Sequence, residues 1–197
     1  MKLIHKLAAV ALALAFTLNA QADINVGVIV STTGPGATLG IPEQNTIKLW
    51  PTEIAGQKLH VTLLNDASDT TTAAKSATKL VSEDNVDVIV GPSLTPTSLA
   101  ALDIAAKAST PMLSMAGGDS IIYPADGPRR WAFRMAAPAS VAVNFAIEDM
   151  LSKGVKKVGV IALATSFGED YTKAFEKAAA AKGVKVVAVE RYNQPDT

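Results

Sequence analysis

"IVGPSLTPTSLA" (Ile89 to Ala100) is a stretch in which an apolar run stops at a glycine and an alanine-rich apolar pattern soon resumes. Between the two runs lie hydroxyl residues and two prolines, and the whole stretch contains no charged residue. A short apolar run that ends in turn residues and leads into a helical pattern is typical of a strand followed by a helix. The stretch therefore predicts a strand-to-helix connection whose loop is polar but uncharged.

The same alternation recurs along the chain and predicts its fold class. Strands are predicted at INVGVIV, LHVTLLND, VDVIVG, TPMLSMA, WAFRM, KKVGVIAL and VKVVAVERY. Helical patterns lie between them, from about Pro42 and over residues 69–84, 97–108, 138–153 and 168–182. Because strands that alternate with helices form βαβ units, and because these strands are continuously apolar, we predict an α/β fold with a doubly wound parallel sheet.

The alternation restarts after Met135, where Pro138 opens a new helical pattern. We therefore predict a first α/β lobe over residues 23–135 and the beginning of a second α/β lobe over residues 136–197. The second part contains only two good strands, and a two-stranded sheet is marginal by itself. The sequence is accordingly expected to be a fragment or the product of a truncated reading frame.

Residues 1–22 have the three parts of a secretory signal peptide in the right order. Lys2 and Lys6 form a positive head, an apolar run follows from Leu7 to Leu18, and Ala20-Gln21-Ala22 is a small-x-small cleavage site. We predict export to a bacterial periplasm, with Asp23 as the first residue of the mature chain. The chain has no cysteine, which is compatible with a periplasmic protein whose stability comes from packing alone and not from disulfide bonds.

The composition argues against several classes of function. Lys and Arg number 18 and Asp and Glu number 18, so no net positive charge favours nucleic acid. There is no cysteine, one of the two histidines lies in the signal peptide, and no G-x-S-x-G, H-E-x-x-H or P-loop motif occurs. Asp66 and Asp69 are expected to cap a helix rather than bind a metal. We therefore expect that the protein is not an enzyme and that it has no catalytic residue, metal or cofactor.

One motif resembles a dinucleotide-binding fingerprint. Gly34, Gly36 and Gly40 follow the first strand, and Asp66 ends the second, as a ribose-binding acid would. The spacing G-x-G-x-x-x-G is one residue too long, and Pro35 disturbs the helix start that should hold a pyrophosphate. A nucleotide-binding oxidoreductase is therefore kept only as a minor alternative.

The loops that follow the strands are the expected binding site. In an open α/β sheet, ligands bind beyond the carboxyl ends of the strands. The loops there are rich in Ser, Thr and Gly and nearly free of Lys and Arg. Hydroxyl groups and free amides at a helix N-terminus can hold an anion, so Thr95 or Thr97 and the following helix predict a carboxylate-binding site. The alternative is that these residues merely cap the helix, with Pro96 in its first turn.

Several motifs together resemble one family. The signal peptide, VGVIVSTTGPGATLG, the segment IAGQKLHVTLLNDASDTTTAAKSATKLVSEDNVDVIVGPS, TPMLSMA and GVKKVGVIALATSFGEDY are similar, in order and spacing, to the periplasmic amino-acid-binding proteins of the leucine/isoleucine/valine type. The resemblance implies a type I periplasmic-binding-protein fold, in which two lobes close on a ligand. It also implies a chain about twice this length and a crossing between lobes near residues 135–139.

The resemblance carries the family's ligand contacts onto five positions. It assigns the carboxylate-binding hydroxyl to Thr95 and the carbonyl that accepts the ligand ammonium to Ala116. The family's threonine, first-loop aromatic and second-lobe tyrosine correspond to Gly118, Leu39 and Phe167. These last three depart from the leucine-binding pattern, and the family's acidic partner of the ammonium falls outside the sequence.

The resemblance implies a solute-binding component of an ABC importer for branched-chain amino acids or related small carboxylates or amides. The expected partners are a small-molecule ligand and an inner-membrane ABC permease, with no nucleic acid, and the full-length protein is expected to be a periplasmic monomer. A ligand-sensing ectodomain of the same fold is the other alternative.

Overall fold

The structure is a computed structural model, and it describes residues 23–193 of the chain. The signal peptide predicted for residues 1–22 lies outside the described residues. The strands are β1 Ile24–Val30, β2 Glu53–Ile54, β3 Gln57–Asn65, β4 Val88–Val90, β5 Met112–Ser114, β6 Ala132–Arg134, β7 Lys157–Leu163 and β8 Lys185–Tyr192. The helices are α1 Ala37–Ile47, α2 Thr70–Ser82, α3 Thr95–Lys107, α4 Ala139–Ser152 and α5 Ser166–Ala181, with 3₁₀ turns at Asp119–Ile121 and Gly127–Trp131.

Two sheets are present in the described part of the chain. Strands β1 to β6 form one sheet in the order β2-β3-β1-β4-β5-β6, and β7 pairs with β8 in the other. All of these pairs are parallel except the short β2–β3 pair at the sheet edge. The predicted α/β fold with a doubly wound parallel sheet is confirmed. The antiparallel β2 was not predicted, because two residues are too few to produce a pattern.

Strand β1 lies inside the first sheet and is covered on both faces. Val28, Ile29 and Val30 have no exposed surface. Ile29 belongs to the cluster formed with α2 and α3, whereas Val28 and Val30 belong to the opposite cluster, against which Ile47 of α1 packs. Continuously apolar strands predict this two-sided burial, since neither face of the strand meets water.

Helix α1 begins five residues earlier than predicted. Helical periodicity in the sequence suggested a start at about Pro42; the helix instead begins at Ala37, and Pro42 lies in its interior. Gly40 allows α1 to approach β1 closely, since an added Cβ there would lie 2.2 Å from the Ser31 carbonyl oxygen. Leu39 is consequently a helical residue and does not lie in a loop.

The carboxylate of Asp69 caps helix α2, as predicted. Its Oδ1 accepts hydrogen bonds from the Thr72 amide at 2.7 Å and the Thr72 hydroxyl at 2.8 Å. These bonds lower the pKa of Asp69, because they favour the charged carboxylate. The cap fixes where α2 begins, immediately after the loop that leaves β3.

Two apolar surfaces stay open to solvent. On the first sheet, a groove of about 350 Å³ is lined by nine residues, all of them apolar, including Trp50, Leu59 and Leu113. On the second sheet, Ile161 of β7 is 77% exposed and Val187 of β8 is 54% exposed. Surfaces of this kind favour association with another apolar surface.

Candidate functional site

A cleft of about 370 Å³ lies at the carboxyl ends of β1, β4, β5 and β7. Its lining residues come from four segments, within residues 35–43, 93–96, 115–117 and 163–167. Depressions of about 420 and 540 Å³ occur elsewhere, on the second sheet and between α4 and α5. The cleft differs from both in lying at the carboxyl ends of strands of both sheets, where open α/β sheets bind ligands. It is therefore the candidate binding site.

The surface of the cleft is mainly apolar and carries few polar groups. Among the described residues that line it, the side-chain polar groups are the hydroxyls of four residues and one carboxyl, and no Lys or Arg is present: Thr38, Ser93, Thr95, Thr165 and Glu43. A mainly apolar pocket with a few placed polar groups is typical of a small-molecule site.

Thr95 and Thr97 have different surroundings, which distinguishes the two candidate hydroxyls. The Thr97 hydroxyl donates to the Leu94 carbonyl at 3.1 Å. Thr95 is 2% exposed, and its Oγ1 is buried without a hydrogen-bond partner in the described part of the chain. A buried hydroxyl without a partner costs free energy unless a ligand or water satisfies it. This makes Thr95, rather than Thr97, the hydroxyl that remains available.

Thr95 is also the first residue of α3, and this helix start lacks a side-chain cap. The N-cap residue is Leu94, whose apolar side chain accepts no hydrogen bond, and Pro96 follows in the first turn. Uncapped amides at a helix N-terminus attract anions through hydrogen bonds and the helix dipole. The position of Thr95 therefore places its hydroxyl beside a helix end of the kind that can bind an anion.

Gly91 produces the sharp turn between β4 and this helix. Its φ is +98°, in the region that favours glycine, and an added Cβ would lie 2.0 Å from the Ile29 carbonyl oxygen. A side chain at this position would both strain the backbone and collide with β1. Gly91 thus lets the chain turn tightly enough to bring Ser93 and Thr95 over the end of β1.

Four of the five predicted site residues line the cleft. Leu39 extends from α1, Thr95 from α3, Ala116 from the segment after β5, and Phe167 from the first turn of α5. The Ala116 amide donates to the Ser114 hydroxyl at 3.2 Å, so its N–H group is already bonded. Phe167 packs against Tyr171, with ring centroids 4.5 Å apart.

Gly118, the fifth predicted residue, lies against Thr95 and is not among the lining residues. A Cβ added to Gly118 would lie 2.3 Å from Thr95 Cγ2, 2.7 Å from Thr95 Oγ1 and 2.9 Å from Asp170 Oδ2. The glycine therefore makes room for the threonine methyl and for a residue of α5. Its role in the structure is close packing between the two lobes.

Asp170 joins α5 to the segment after β5. Its Oδ2 accepts hydrogen bonds from the Ser120 amide at 2.9 Å and from the Ser120 hydroxyl at 2.6 Å. Nearby, an added Cβ on Gly117 would lie 3.3 Å from the Phe167 ring. These contacts hold the two walls of the cleft next to each other.

Glu43 is a lining residue that the sequence reasoning missed. It lies on α1, is half-buried, and accepts a hydrogen bond from the Ser93 hydroxyl. Burial raises the pKa of Glu43, the hydrogen bond from Ser93 opposes this, and the charge of Asp66 adds to it. One signal was available, since Glu43 is the single acidic residue between Ser31 and Thr52.

A comparison with models of protein families identifies the family of this chain. The model of the periplasmic binding protein family matches residues 23–197. The chain belongs to the periplasmic binding protein family. Its α/β architecture is the type I periplasmic-binding-protein fold, and the resemblance noted from the sequence is confirmed. The family and its solved relatives are ligand-binding and transport proteins rather than enzymes.

Solved structures of three relatives illustrate the similarity. An extracellular ligand-binding receptor from Rhodopseudomonas palustris HaA2 is 39% identical, with a TM-score of 0.84 over 88% of this chain and 48% of its own. A solute-binding protein of an ABC transporter from R. palustris BisB5, in complex with 3,4-dihydroxybenzoic acid, is 28% identical, with a TM-score of 0.79 over 87% and 47%. A leucine-binding protein from Thermotoga maritima MSB8 is 20% identical, with a TM-score of 0.77 over 86% and 49%, and shows the fold alone.

The chain spans about half the length of these relatives. A search among curated proteins finds no match to it. Within residues 23–193, no helix is long and apolar enough to span a bilayer. The same residues contain no group of three or more side chains placed to hold a metal ion.

Proposed function

We propose that this protein is the periplasmic solute-binding component of an ABC importer and that its ligand is a small carboxylate with an apolar body. One observation carries the ligand class: the buried Thr95 hydroxyl lacks a partner and lies at the uncapped N-terminus of α3. A carboxylate at this point would accept from the hydroxyl and from the helix amides. Because the cleft draws lining residues from both lobes, lobe closure would exclude water from these bonds.

The apolar lining favours an aromatic or aliphatic carboxylate over a branched-chain amino acid. Leu39 and Phe167 replace two hydroxyl-bearing aromatic residues of the leucine-binding pattern, and Gly118 carries no hydroxyl. The relative from R. palustris BisB5 was solved with an aromatic carboxylate, which supports the same ligand class here. An apolar pocket discriminates among apolar ligands by only about 1–3 kcal/mol per methylene, so we expect broad selectivity among such carboxylates.

The proposed role implies a cycle of export, capture and delivery. The predicted signal peptide at residues 1–22 would direct the chain to the periplasm, with processing after Ala22. The loaded protein would then deliver its ligand to a permease in the inner membrane. Ala116 would contribute its carbonyl to ligands that carry an ammonium group, as the family pattern implies.

Replacing Thr95 with valine tests the carboxylate-binding site. Valine has nearly the same shape but cannot donate a hydrogen bond, so carboxylate binding should weaken by about 1–3 kcal/mol, or roughly fivefold to 150-fold. Binding is measured by isothermal titration calorimetry, with benzoate, 3,4-dihydroxybenzoate, leucine and valine as ligands. Weak ligands are measured by ligand-detected NMR.

The matched control is Thr97→Val on the same helix. The Thr97 hydroxyl is already bonded to the Leu94 carbonyl, so this variant should lose some stability but keep its affinity for carboxylates. Equal affinities in the wild type and Thr95→Val would return Thr95 to a packing role. A wild type that binds none of the carboxylates would refute the proposed ligand class.

A further inference from the structure

The carboxyl group of Glu43 is the one ionisable group among the described residues that line the cleft. Within residues 23–193, its single protein hydrogen bond comes from the Ser93 hydroxyl to Oε2. The other oxygen, Oε1, has no protein partner in this part of the chain. Because Glu43 lines the cleft, this oxygen has the capacity to accept a hydrogen bond from a group that enters the cleft.

A buried network fixes the direction of the bond from Ser93. The Ser31 amide donates to Ser93 Oγ at 3.0 Å, so the serine hydrogen is left for Glu43. The Ser31 hydroxyl in turn donates to Asp66 Oδ1 at 2.6 Å. Ser93, Ser31 and Asp66 are at most 3% exposed. Glu43 is therefore held as a hydrogen-bond acceptor by residues that have little freedom to move.

No cation of the cleft compensates this carboxyl group. Lys and Arg are absent from the described lining residues, and the nearest charged partner in the network is another acid, Asp66. Burial raises the pKa of Glu43, and the negative charge of Asp66 acts in the same direction. A ligand that donates a hydrogen bond would relieve this unfavourable environment, whereas a ligand that brings a second negative charge would worsen it.

An independent observation shows that the cleft also offers a donor. Thr95 lines the same cleft, and its hydroxyl is buried and has no partner in the described residues. Ser93, which orients Glu43, precedes Thr95 by two positions on one loop. A single small ligand can therefore meet a donor at Thr95 and an acceptor at Glu43.

We infer that Glu43 is a specificity-determining residue that selects ligands carrying a hydrogen-bond donor in addition to their carboxylate, an inference that rests on the proposed binding function. The donor is an ammonium or a hydroxyl group. The carboxylate binds at Thr95 and the N-terminus of α3, and the donor binds at Glu43. Ligands with a second carboxylate are rejected, because two acids would then face each other in a water-poor cleft.

The experiment uses pairs of ligands that differ in the donor. One pair is 3,4-dihydroxybenzoate and benzoate, and the other is leucine and 4-methylpentanoate; benzene-1,4-dicarboxylate tests rejection. Each is titrated into the wild type and Glu43→Met, which keeps the side-chain length but removes both oxygens. Asn45→Met is the matched control, because Asn45 is exposed on the same helix and does not line the cleft. Thermal melts confirm that each variant is folded.

In the wild type, we expect the donor-bearing member of at least one pair to bind about tenfold or more tightly than the other member. A difference of this size is well within the discrimination that a hydrogen-bonding site can achieve. In Glu43→Met, that preference should fall below about threefold, because the donor loses its acceptor. Benzene-1,4-dicarboxylate should bind detectably only to Glu43→Met. Asn45→Met should reproduce the wild-type ratios.

Two outcomes would overturn the inference, and they are distinct. If the wild type binds the carboxylates and Glu43→Met keeps the same preference within each pair, the inference fails and the proposed function stands. If no carboxylate binds the wild type, the proposed function fails and the inference falls with it. A folded Glu43→Met that loses every ligand equally also contradicts a selective role.

Discussion

Gly118→Thr will abolish ligand binding and weaken the contact between the lobes. The new Cβ would lie 2.3 Å from Thr95 Cγ2 and 2.9 Å from Asp170 Oδ2, so both neighbours would have to move. Overpacking of this kind costs about 1–3 kcal/mol in folded proteins. Because Thr95 carries the proposed ligand hydroxyl and Asp170 binds Ser120, the displacement would disturb both walls of the cleft.

A second substitution tests whether the steric contact with Thr95, rather than a general loss of packing, causes the effect of Gly118→Thr. In the double variant Thr95→Ser, Gly118→Thr, the methyl group that causes the shortest contact is gone. We therefore expect the double variant to be more stable than Gly118→Thr alone, with a coupling of about 1 kcal/mol or more. Gly159→Thr is the control, because an added Cβ there meets no atom within 4 Å and β7 is a strand. If Gly118→Thr melts and binds like the wild type, the packing role is wrong.

This pair of residues also shows what a family pattern can and cannot predict. By resemblance, position 118 is where the family has a threonine, and its loss suggests only a missing hydroxyl. The contact with Thr95 depends on how the segment after β5 meets the start of α3, which no local pattern in the sequence encodes. The glycine is therefore understandable only together with the larger residue at position 95.

The elements of the fold were more predictable than the site. Strand β1 has an apolar run, β3 has apolar residues at alternate positions, and the Asp69 cap lies beside a clear helical pattern, so local rules were sufficient. The start of α1 was misplaced because the apolar periodicity became visible only from about Pro42, whereas the helix begins at Ala37, in a segment where Gly40 packs closely on Ser31.

Thr95 could be proposed from the sequence because its loop combines hydroxyl groups with a helix start. Glu43 could not, because its proposed role depends on residues far away in the sequence. Its partner Ser93 is 50 positions away, and Ser31 and Ser93 are 62 positions apart. Likewise, Asp170 is one of several charged residues on α5, and only the fold brings it to Ser120.

Asp119→Ala will be among the most destabilising substitutions in the first lobe. The Asp119 carboxylate forms an ion pair with Arg134, whose side chain is only 2% exposed. The same guanidinium donates to the Gly117 carbonyl at 3.2 Å, and its Nε has no partner in the described part of the chain. Because the Asp119 side chain is 32% exposed, the pair is only partly buried, but removing the carboxylate leaves the charge of the buried Arg134 uncompensated, so we expect a loss of about 1–3 kcal/mol in the free energy of unfolding.

A double variant distinguishes the unpaired charge from the mere loss of a contact. Asp119→Ala combined with Arg134→Met removes both charges and fills the arginine's position with an apolar chain, so much of the lost stability should return. Asp149→Ala is the control, since its ion pair with Lys153 is exposed and worth less than about 1 kcal/mol. Urea denaturation of the four proteins measures the differences. A double variant as unstable as Asp119→Ala would show that the carboxylate acts through something other than the buried charge of Arg134.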